Sequence, residues 1–290
     1  MKRLSSFYQL LLEKKQRSEI LVFGFADVCS WETEKQYTVP LEFHPKSVYP
    51  NAKTAIVIGV PVILPILETT PSVFYNEHYH VLNAHLDSEA LQLSFYLNEH
   101  ESLAFPIPRD GYAGSAALKK DPTAAFSHKH AAYHAGLGTF GRNNTLLTPK
   151  YGPRIRFTTI LTSATFEDLG VPGETAGQIQ EMKKKQLCIE CMACARFCPS
   201  EVVSKDKEKP YPVSRIDKRK CTAYSSMLGE KGISPCGVCI KVCPVGEDRK
   251  NFNRRSIHVY EEKTDDKKQK TEADEKLIQS WTHIRRYGTK

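Results

Sequence analysis

Eight of the nine cysteines in this chain lie in two short runs between residues 188 and 243. The first run is Cys188-x2-Cys191-x2-Cys194-x3-Cys198-Pro199, and the second is Cys221-x14-Cys236-x2-Cys239-x3-Cys243-Pro244. Three cysteines at intervals of three residues wrap one tight turn around an iron-sulfur cube, while a fourth cysteine followed by proline serves the neighbouring cube. The spacing therefore predicts two interlocked 4Fe-4S clusters in one small module.

The same rule predicts which cysteines share a cluster. Its two ligand sets cross between the runs: Cys188, Cys191, Cys194 and Cys243 for the first cluster, and Cys198, Cys221, Cys236 and Cys239 for the second. Cys221 departs from the compact pattern, because fourteen residues separate it from Cys236. Structural zinc is the alternative, but one tetrahedral ion uses two C-x2-C pairs, whereas the first run offers three thiolates in a single turn.

The N-terminal residues bear on the redox compartment. Residues 1–20 carry charges throughout and contain neither the apolar core nor the small-residue cleavage site of a secretory signal. We therefore expect a cytoplasmic location, where thiols stay reduced and disulfides are rare. No apolar run approaches the roughly 18 residues of a membrane span, so no membrane association is expected. Cys29, outside both runs, is expected to be a small buried hydrophobe.

The length of the chain, 290 residues, suits one sizeable domain and a smaller module. We expect a first domain over residues 1–180, the double-cluster module over 181–250, and a charged connector with a C-terminal helix over 251–290. The first domain is long enough to bury a core and form a pocket, which a plain ferredoxin does not need. We therefore expect the first domain to use the electrons that the two clusters carry.

The charge of the chain argues against a general nucleic-acid surface. The formal net charge of +8 falls to about +4 once eight thiolates and two oxidised clusters are counted. Two basic stretches, at 183–185 and 215–220, flank the cysteines. Their expected role is to offset the anionic clusters or to face solvent, with RNA contact as the less favoured alternative.

Hydrophobic patterns predict an α/β or α+β domain with a mixed sheet and flanking helices, and we favour α+β. Helical spacing of apolar residues predicts helices at 4–12, 75–100, 124–135 and 277–284. Short apolar, β-branched runs predict strands at 20–25, 54–62, 146–148 and 154–162. The helix at 124–135 is expected to end at Gly136 as its C-terminal cap. Residues 163–181, with several glycine, proline and polar positions, are expected to form a linker.

A glycine-rich loop follows that helix: Gly136-Leu137-Gly138-Thr139-Phe140-Gly141. It matches G-x-G-x-x-G, but a dinucleotide fingerprint must follow a strand and open a helix, and here a helix comes first. We interpret the glycines as a place where the backbone approaches a large flat or anionic ligand, with hydrogen bonds from Arg142, Asn143 and Asn144. A structural loop without a ligand is the alternative.

The stretch HAGLGTFGRNNTLLTPKYGPRIRFTTILT, followed by both cysteine runs, resembles the superfamily of epoxyqueuosine reductases and reductive dehalogenases. Members of that superfamily bind cobalamin in a nitroreductase-like domain and supply it with electrons from two 4Fe-4S clusters. The resemblance therefore implies a nitroreductase-like fold and a bound cobalamin. It also implies that the loop lines the corrinoid, through Gly136, Gly138, Gly141, Arg142, Asn143, Asn144, Tyr151, Gly152 and Pro153.

The resemblance also suggests a proton donor. Epoxyqueuosine reductases place an aspartate shortly before the A-G-L-G stretch, and the matching position here is Pro122, with Asp121 beside it. We predict Asp121 and His128 as catalytic residues, with His130 as an alternative donor of suitable intrinsic pKa. A solvated turn residue is the alternative interpretation of Asp121, and a surface histidine that of His128 and His130.

The predicted function is that of an iron-sulfur oxidoreductase whose two clusters relay electrons to a corrinoid for reduction of an unidentified substrate. The expected partners are a small electron donor protein of ferredoxin or flavodoxin type and a small-molecule or nucleoside substrate. Two alternatives stay open: an epoxyqueuosine reductase acting on tRNA, a less favoured partner, and a non-catalytic electron carrier or corrinoid-reducing partner protein. The chain resembles a short cytoplasmic member without a C-terminal helical-repeat domain.

Overall fold

The structure is a computed structural model that describes residues 7–35, 37–109, 117, 120, 121, 123–205, 216–251, 260 and 271–288. The strands are β1 (Val22–Asp27), β2 (Thr54–Pro61), β3 (Ala104–Ile107), β4 (Thr139–Phe140), β5 (Leu146–Leu147) and β6 (Ile155–Thr162). The helices are α1 (Phe7–Gln16), α2 (Ser30–Thr33), α3 (Pro45–Val48), α4 (Leu64–Glu68), α5 (Val73–Glu99), α6 (His128–His134), α7 (Thr175–Lys184), α8 (Ala193–Arg196), α9 (Lys218–Gly229), α10 (Val238–Lys241), α11 (Asp248–Asn251) and α12 (Glu272–Gly288).

A four-stranded sheet in the order β1-β2-β6-β3 forms the centre of the first domain. Strand β2 lies opposite β1 and β6, so that Ile56 faces Phe25 on one side and Ile160 on the other. All three pairings are antiparallel, whereas a mixed sheet was expected. The predicted α+β class is confirmed, because helices cover this antiparallel sheet instead of alternating with parallel strands.

The sheet separates two hydrophobic cores, because successive side chains of a strand point to opposite faces. Ala55 and Val57 of β2 belong to the core shared with α6 and Phe140. Ile56 and Ile58 belong to the core shared with α1 and α5. Coverage on both faces explains why β2 is an almost continuous apolar run. The glycine loop is therefore held against one face of a rigid sheet.

The predicted elements largely match the structure. The helix before the glycine loop ends as expected, since Gly136 has a left-handed φ of +66°. The linker predicted at 163–181 is wrong in its second half, where α7 begins at Thr175 and buries Ile179. Cys29 is exposed and not buried, because it precedes α2 in a surface turn, 3.7 Å from Lys46 Nζ.

The C-terminal helix α12 packs against the cysteine module. Trp281 is buried, stacks on Tyr260 at a centroid distance of 5.8 Å, and lies 4.3 Å from Lys241 Nζ. Most of the predicted connector lies outside the described residues, so only the helical part of the segment 251–290 is placed. Within the described part of the chain, no helix combines the length and apolar character needed to cross a membrane.

Candidate cluster sites and the adjoining cavities

The two cysteine runs fold in the same local way. In each run a residue with left-handed backbone follows one cysteine and precedes a short helix that carries the next: Met192 (φ +62°) before α8 and Gly237 (φ +65°) before α10. This turn reverses the chain within one C-x2-C unit. The runs are therefore two copies of one local structure, as their spacing predicts.

The structure brings the eight thiols together in two groups, each drawing on both runs. Burial raises the pKa of Cys194 to about 12, and the neighbouring thiols of Cys243, Cys188 and Cys191 add to the rise. Burial likewise raises the pKa of Cys236 to about 11, with Cys221 and Cys198 as the neighbouring thiols. Cys239 lies in this second group, and Cys194 of the first group also raises the pKa of its thiol. The two groups therefore adjoin.

The chemistry of each group suits an iron-sulfur cube. Four thiolates close together repel one another, so the group needs cationic metal to be ionised. No three described His, Cys, Asp or Glu residues are arranged around a single metal ion. The spacing of the cysteines suits a cube, in which each thiolate binds a different iron.

Arg142 ties the glycine loop to the first thiol group. Its side chain is 1% exposed, and its Nε donates to Glu190 Oε2 at 2.7 Å. Nη1 donates to the carbonyl of Ser204 at 3.1 Å. Glu190 lies between Cys188 and Cys191, so the guanidinium holds the loop that carries these thiols. Arg142, Gly141 and Asn143 line a small cavity beside this thiol group.

Arg154 ties the first domain to the second cysteine run. Its fully buried guanidinium donates to both carboxylate oxygens of Asp248, at 2.7 and 2.6 Å, and to the carbonyl of Cys243 at 2.8 Å. The next residue of α11, Arg249, pairs at 3.1 Å with Glu68 of α4. Two adjacent residues of the module therefore bind opposite charges at two places on the first domain.

Two cavities adjoin the second thiol group. One, of about 520 Å³, lies between residues 38–43, α6 and the start of α9, and is lined by Cys221. The other, of about 420 Å³, lies between α5, α6 and residues 235–240, and is lined by Cys239. Phe126, Ser127 and Lys129 line both. The cavities therefore flank a common wall, next to the second thiol group.

The predicted catalytic residues differ in their relation to these cavities. His128 lines the smaller cavity, but its two ring nitrogens lie 2.9 Å from Thr159 Oγ1 and 3.1 Å from the carbonyl of Pro108. Asp121 is exposed, lines neither cavity, and accepts a hydrogen bond from Thr123 Oγ1 at 2.6 Å. His130 lines the larger cavity, and burial lowers its pKa to about 3. The roles of Asp121 and His128 stay predictions.

Two groups near the cavities were missed in the sequence. Lys129 lines both cavities, and its Nζ donates to the carbonyl of Asn144 at 2.9 Å. Arg156 donates to Tyr79 Oη at 3.1 Å and stacks over its ring at 4.2 Å, and both line the smaller cavity. Lys129 is the one lysine in the stretch AAFSHKHAAYHA and was a signal for the first group. The pair of Arg156 and Tyr79 joins β6 to α5, and no local sequence pattern predicts such a contact.

The residues of the glycine loop divide between cavity and packing positions. Asn143 and Asn144 line the larger cavity, and Pro153 lines the smaller one. Gly136 packs on Ile179, Gly138 on the backbone of Leu147, and Gly152 on the backbone of Val245. Tyr151 packs against the core around α6. These glycines fit the structural alternative, since each permits a close approach between protein segments.

Replacing Gly138 by alanine should destabilise the first domain without touching either cavity. A Cβ at this position would lie 2.0 Å from the carbonyl oxygen of Leu147, so the β4-β5 hairpin must shift. Overpacking of this kind costs about 1–3 kcal/mol. Thermal unfolding of the anaerobic protein measures the effect, with Gly173→Ala as the control because nothing lies within 4 Å there. Equal midpoints for both variants would contradict the close approach.

Comparison with known proteins agrees with this picture. The family model described as "4Fe-4S dicluster domain" matches residues 187–247. A tetrachloroethene reductive dehalogenase of Desulfitobacterium hafniense is 30% identical over 126 residues, which is 39% of this chain and 21% of the relative. An epoxyqueuosine reductase of Synechococcus sp. (strain RCC307) is 26% identical over 131 residues, 42% of this chain and 35% of the relative. Both relatives are reductases, which supports the predicted oxidoreductase class.

Solved structures share the fold. The catabolic reductive dehalogenase NpRdhA in complex with 3-bromo-4-hydroxybenzoic acid matches with a TM-score of 0.54 and 21% identity, covering 91% of this chain and 34% of that one. Epoxyqueuosine reductase from Streptococcus thermophilus matches with a TM-score of 0.51 and 18% identity, covering 82% of this chain and 66% of that one.

This chain matches only part of each relative. This chain spans about a fifth of the dehalogenase relative and about a third of the Synechococcus one. The solved structures share about a fifth of their aligned residues with this chain, and they support the fold alone. Sequence likeness, shared fold and the dicluster module nevertheless point in one direction. The chain is related to the superfamily of reductive dehalogenases and epoxyqueuosine reductases, which confirms the resemblance carried by its glycine loop and cysteine runs.

Proposed function

We propose that this protein is an iron-sulfur oxidoreductase that relays electrons through two 4Fe-4S clusters to a corrinoid for reduction of a substrate. The observation that carries the proposal is the position of the second thiol group, whose Cys221 and Cys239 line the two cavities. In this proposal the first domain, residues 1–180, holds the corrinoid, and the module, residues 181–250, holds the clusters. The clusters occupy the crossed ligand sets.

The exposure of the two thiol groups suggests a direction for the electrons. Cys191 is exposed and the neighbouring Ile189 is 65% exposed, so the first cluster would lie near the surface. Cys239 lines the smaller cavity, and burial raises the pKa of its thiol, with the other thiols of its group as neighbours. Electrons from a small donor protein would therefore enter at the first cluster and leave from the second. Burial and local charge set the potential of each cluster.

The cavity residues fit a large polar cofactor. His130 Nε2 and Asn144 Oδ1 are buried without a hydrogen-bond partner, and both residues line the larger cavity. Buried polar atoms of this kind call for a ligand or ordered water. Asn143, Asn144 and Pro153 would contact the corrinoid from the loop side, where the resemblance puts it. A bound corrinoid would supply a metal centre that accepts electrons one at a time.

The chain supplies its own proton source beside this site. The Tyr79 hydroxyl accepts a hydrogen bond from Arg156, whose guanidinium also lies over the ring. Tyr79 would join His128 among the groups that deliver a proton to a substrate in the smaller cavity. Phe126 and Phe157 contribute apolar walls to this cavity.

Filling the larger cavity should weaken corrinoid binding. We expect Ala124→Trp to lower the affinity for cobalamin by at least about tenfold, because an indole would occupy space lined by Ala124. Ala125→Trp is the matched control, since Ala125 is the exposed neighbour and lines neither cavity. Anaerobic reconstitution followed by iron, sulfide and corrinoid analysis gives the measurement.

Iron content separates the outcomes. Both variants should keep about eight iron atoms per chain, because neither change touches a cysteine. Wild-type protein with full iron that binds no cobalamin would overturn the corrinoid proposal and favour an electron carrier. Equal cobalamin affinity in the two tryptophan variants would show that the larger cavity does not bind the corrinoid.

Epoxyqueuosine reduction on tRNA is the second candidate function, favoured by the sequence likeness to the Synechococcus enzyme.

A further inference from the structure

The larger cavity is unusually positive. Lys129 of α6 and Lys218, the first residue of α9, reach it from two different elements. Among the described residues that line the cavity there is no aspartate or glutamate. Neither lysine forms an ion pair within the described part of the chain. Burial lowers the pKa of Lys129 to about 7, and the charge of Lys218 adds to that effect.

Two carboxylates close in sequence to lining residues have other partners. Asp217 caps α9, where its Oδ1 accepts the backbone N–H of Lys220 at 3.0 Å. Asp121 accepts the Thr123 hydroxyl at 2.6 Å and is exposed. Neither residue lines the cavity. Among the described residues, the two lysines therefore have no carboxylate partner at the cavity wall, which is an uncommon state for a partly buried amine.

A third donor points to a ligand. His130 is 5% exposed and lines the cavity, and its Nε2 is buried without a partner. Its Nδ1 lies 2.6 Å from Ser127 Oγ. When the hydroxyl donates to Nδ1, the neutral ring carries its proton on Nε2, which is then an unused donor. The start of the twelve-residue helix α9 adds a partial positive charge on the opposite side.

We propose that the larger cavity binds a phosphate group between Lys129 and Lys218, with His130 as a third donor. Donors converging from three directions suit a tetrahedral dianion better than a planar carboxylate. This inference rests on the proposed function in that the cavity belongs to the same site. The phosphate has two sources, the nucleotide loop of the corrinoid itself or a phosphorylated substrate.

The test uses the full chain, purified anaerobically with its clusters. Isothermal titration with inorganic phosphate at fixed ionic strength should show binding to wild-type protein and at least about tenfold weaker binding to Lys129→Gln/Lys218→Gln. Lys218→Gln alone, at a half-buried helix start, should give a smaller loss and remains informative if the double variant does not fold. Lys231→Gln is the control, because Lys231 is exposed and outside the cavity.

Titration with cobalamin and with cobinamide, which lacks the nucleotide loop and its phosphate, separates the two sources. A loss of at least about tenfold for cobalamin with none for cobinamide assigns the phosphate to the corrinoid. Inorganic phosphate binding that persists in corrinoid-loaded wild-type protein and is lost in the corrinoid-loaded double variant assigns the site to a substrate. Unchanged affinity of the double variant for phosphate and cobalamin overturns the inference. Phosphate binding by a protein that takes neither corrinoid overturns the proposed function and leaves this inference standing.

Discussion

Replacing Cys243 by serine is expected to remove the cluster whose other three ligands lie in the first cysteine run. The iron content should fall from about eight to about four atoms per chain, because a cube held by three thiolates is labile while the other ligand set stays complete. The structural reason is the grouping of Cys243 with Cys188, Cys191 and Cys194. The measurement is anaerobic iron and sulfide analysis together with electron paramagnetic resonance of the reduced protein.

The crossed arrangement makes a sharper prediction about pairs of variants. Cys194→Ser and Cys243→Ser, from different runs, should leave the same residual spectrum, and Cys198→Ser and Cys239→Ser should leave the other. Cys29→Ser serves as the control and should keep both clusters, since Cys29 is remote in sequence and exposed. If the residual spectrum instead follows the run, so that Cys239→Ser and Cys243→Ser agree, the ligand sets do not cross.

Replacing Arg154 by methionine should have the largest effect on stability. The change leaves the partly buried Asp248 carboxylate without its partner and removes donors from the carbonyls of Cys243 and Ile240. Breaking a buried pair on one side costs about 3–5 kcal/mol. The midpoint of thermal cluster loss, followed anaerobically by the visible absorbance, should therefore fall by many degrees. Iron content before heating shows whether the clusters assemble at all.

Two further variants test the cause. Arg154→Met/Asp248→Leu should recover part of the lost stability, because the second change removes the uncompensated carboxylate. Lys150→Gln should leave the midpoint unchanged, since Lys150 is exposed. An Arg154→Met protein as stable as wild type would show that the contact between Arg154 and the module does not hold the two parts together.

The cysteine module was predictable because its information is local. A tight turn around a cube fixes the number of residues between successive cysteines at two or three. These spacings are read directly from the sequence between Cys188 and Cys198. The central strands were predictable for a similar reason, since burial on both faces requires an apolar run such as β2. Gly136 was predictable because a helix that stops at a left-handed residue favours glycine there.

The cavities were less predictable because they depend on residues far apart in sequence. Tyr79 meets Arg156 only because α5 packs on β6, and Lys218 meets Lys129 only because α9 returns to α6. The basic stretch at 215–220 was expected to offset the clusters or face solvent, and Lys218 lines the larger cavity instead. Asp121 was chosen by position in a motif, which does not report exposure.

The double attachment at α11 has a consequence for how electrons are delivered. Asp248 and Arg249 fasten the module to Arg154, just before β6, and to Glu68 of α4 by two charge pairs of opposite polarity, one residue apart. A hinge motion that lengthens one pair must lengthen or shear the other, so swinging of the cysteine module is opposed at its base. In the proposed function, an external electron donor would therefore dock at the exposed Cys191, and the module would not swing out to meet it.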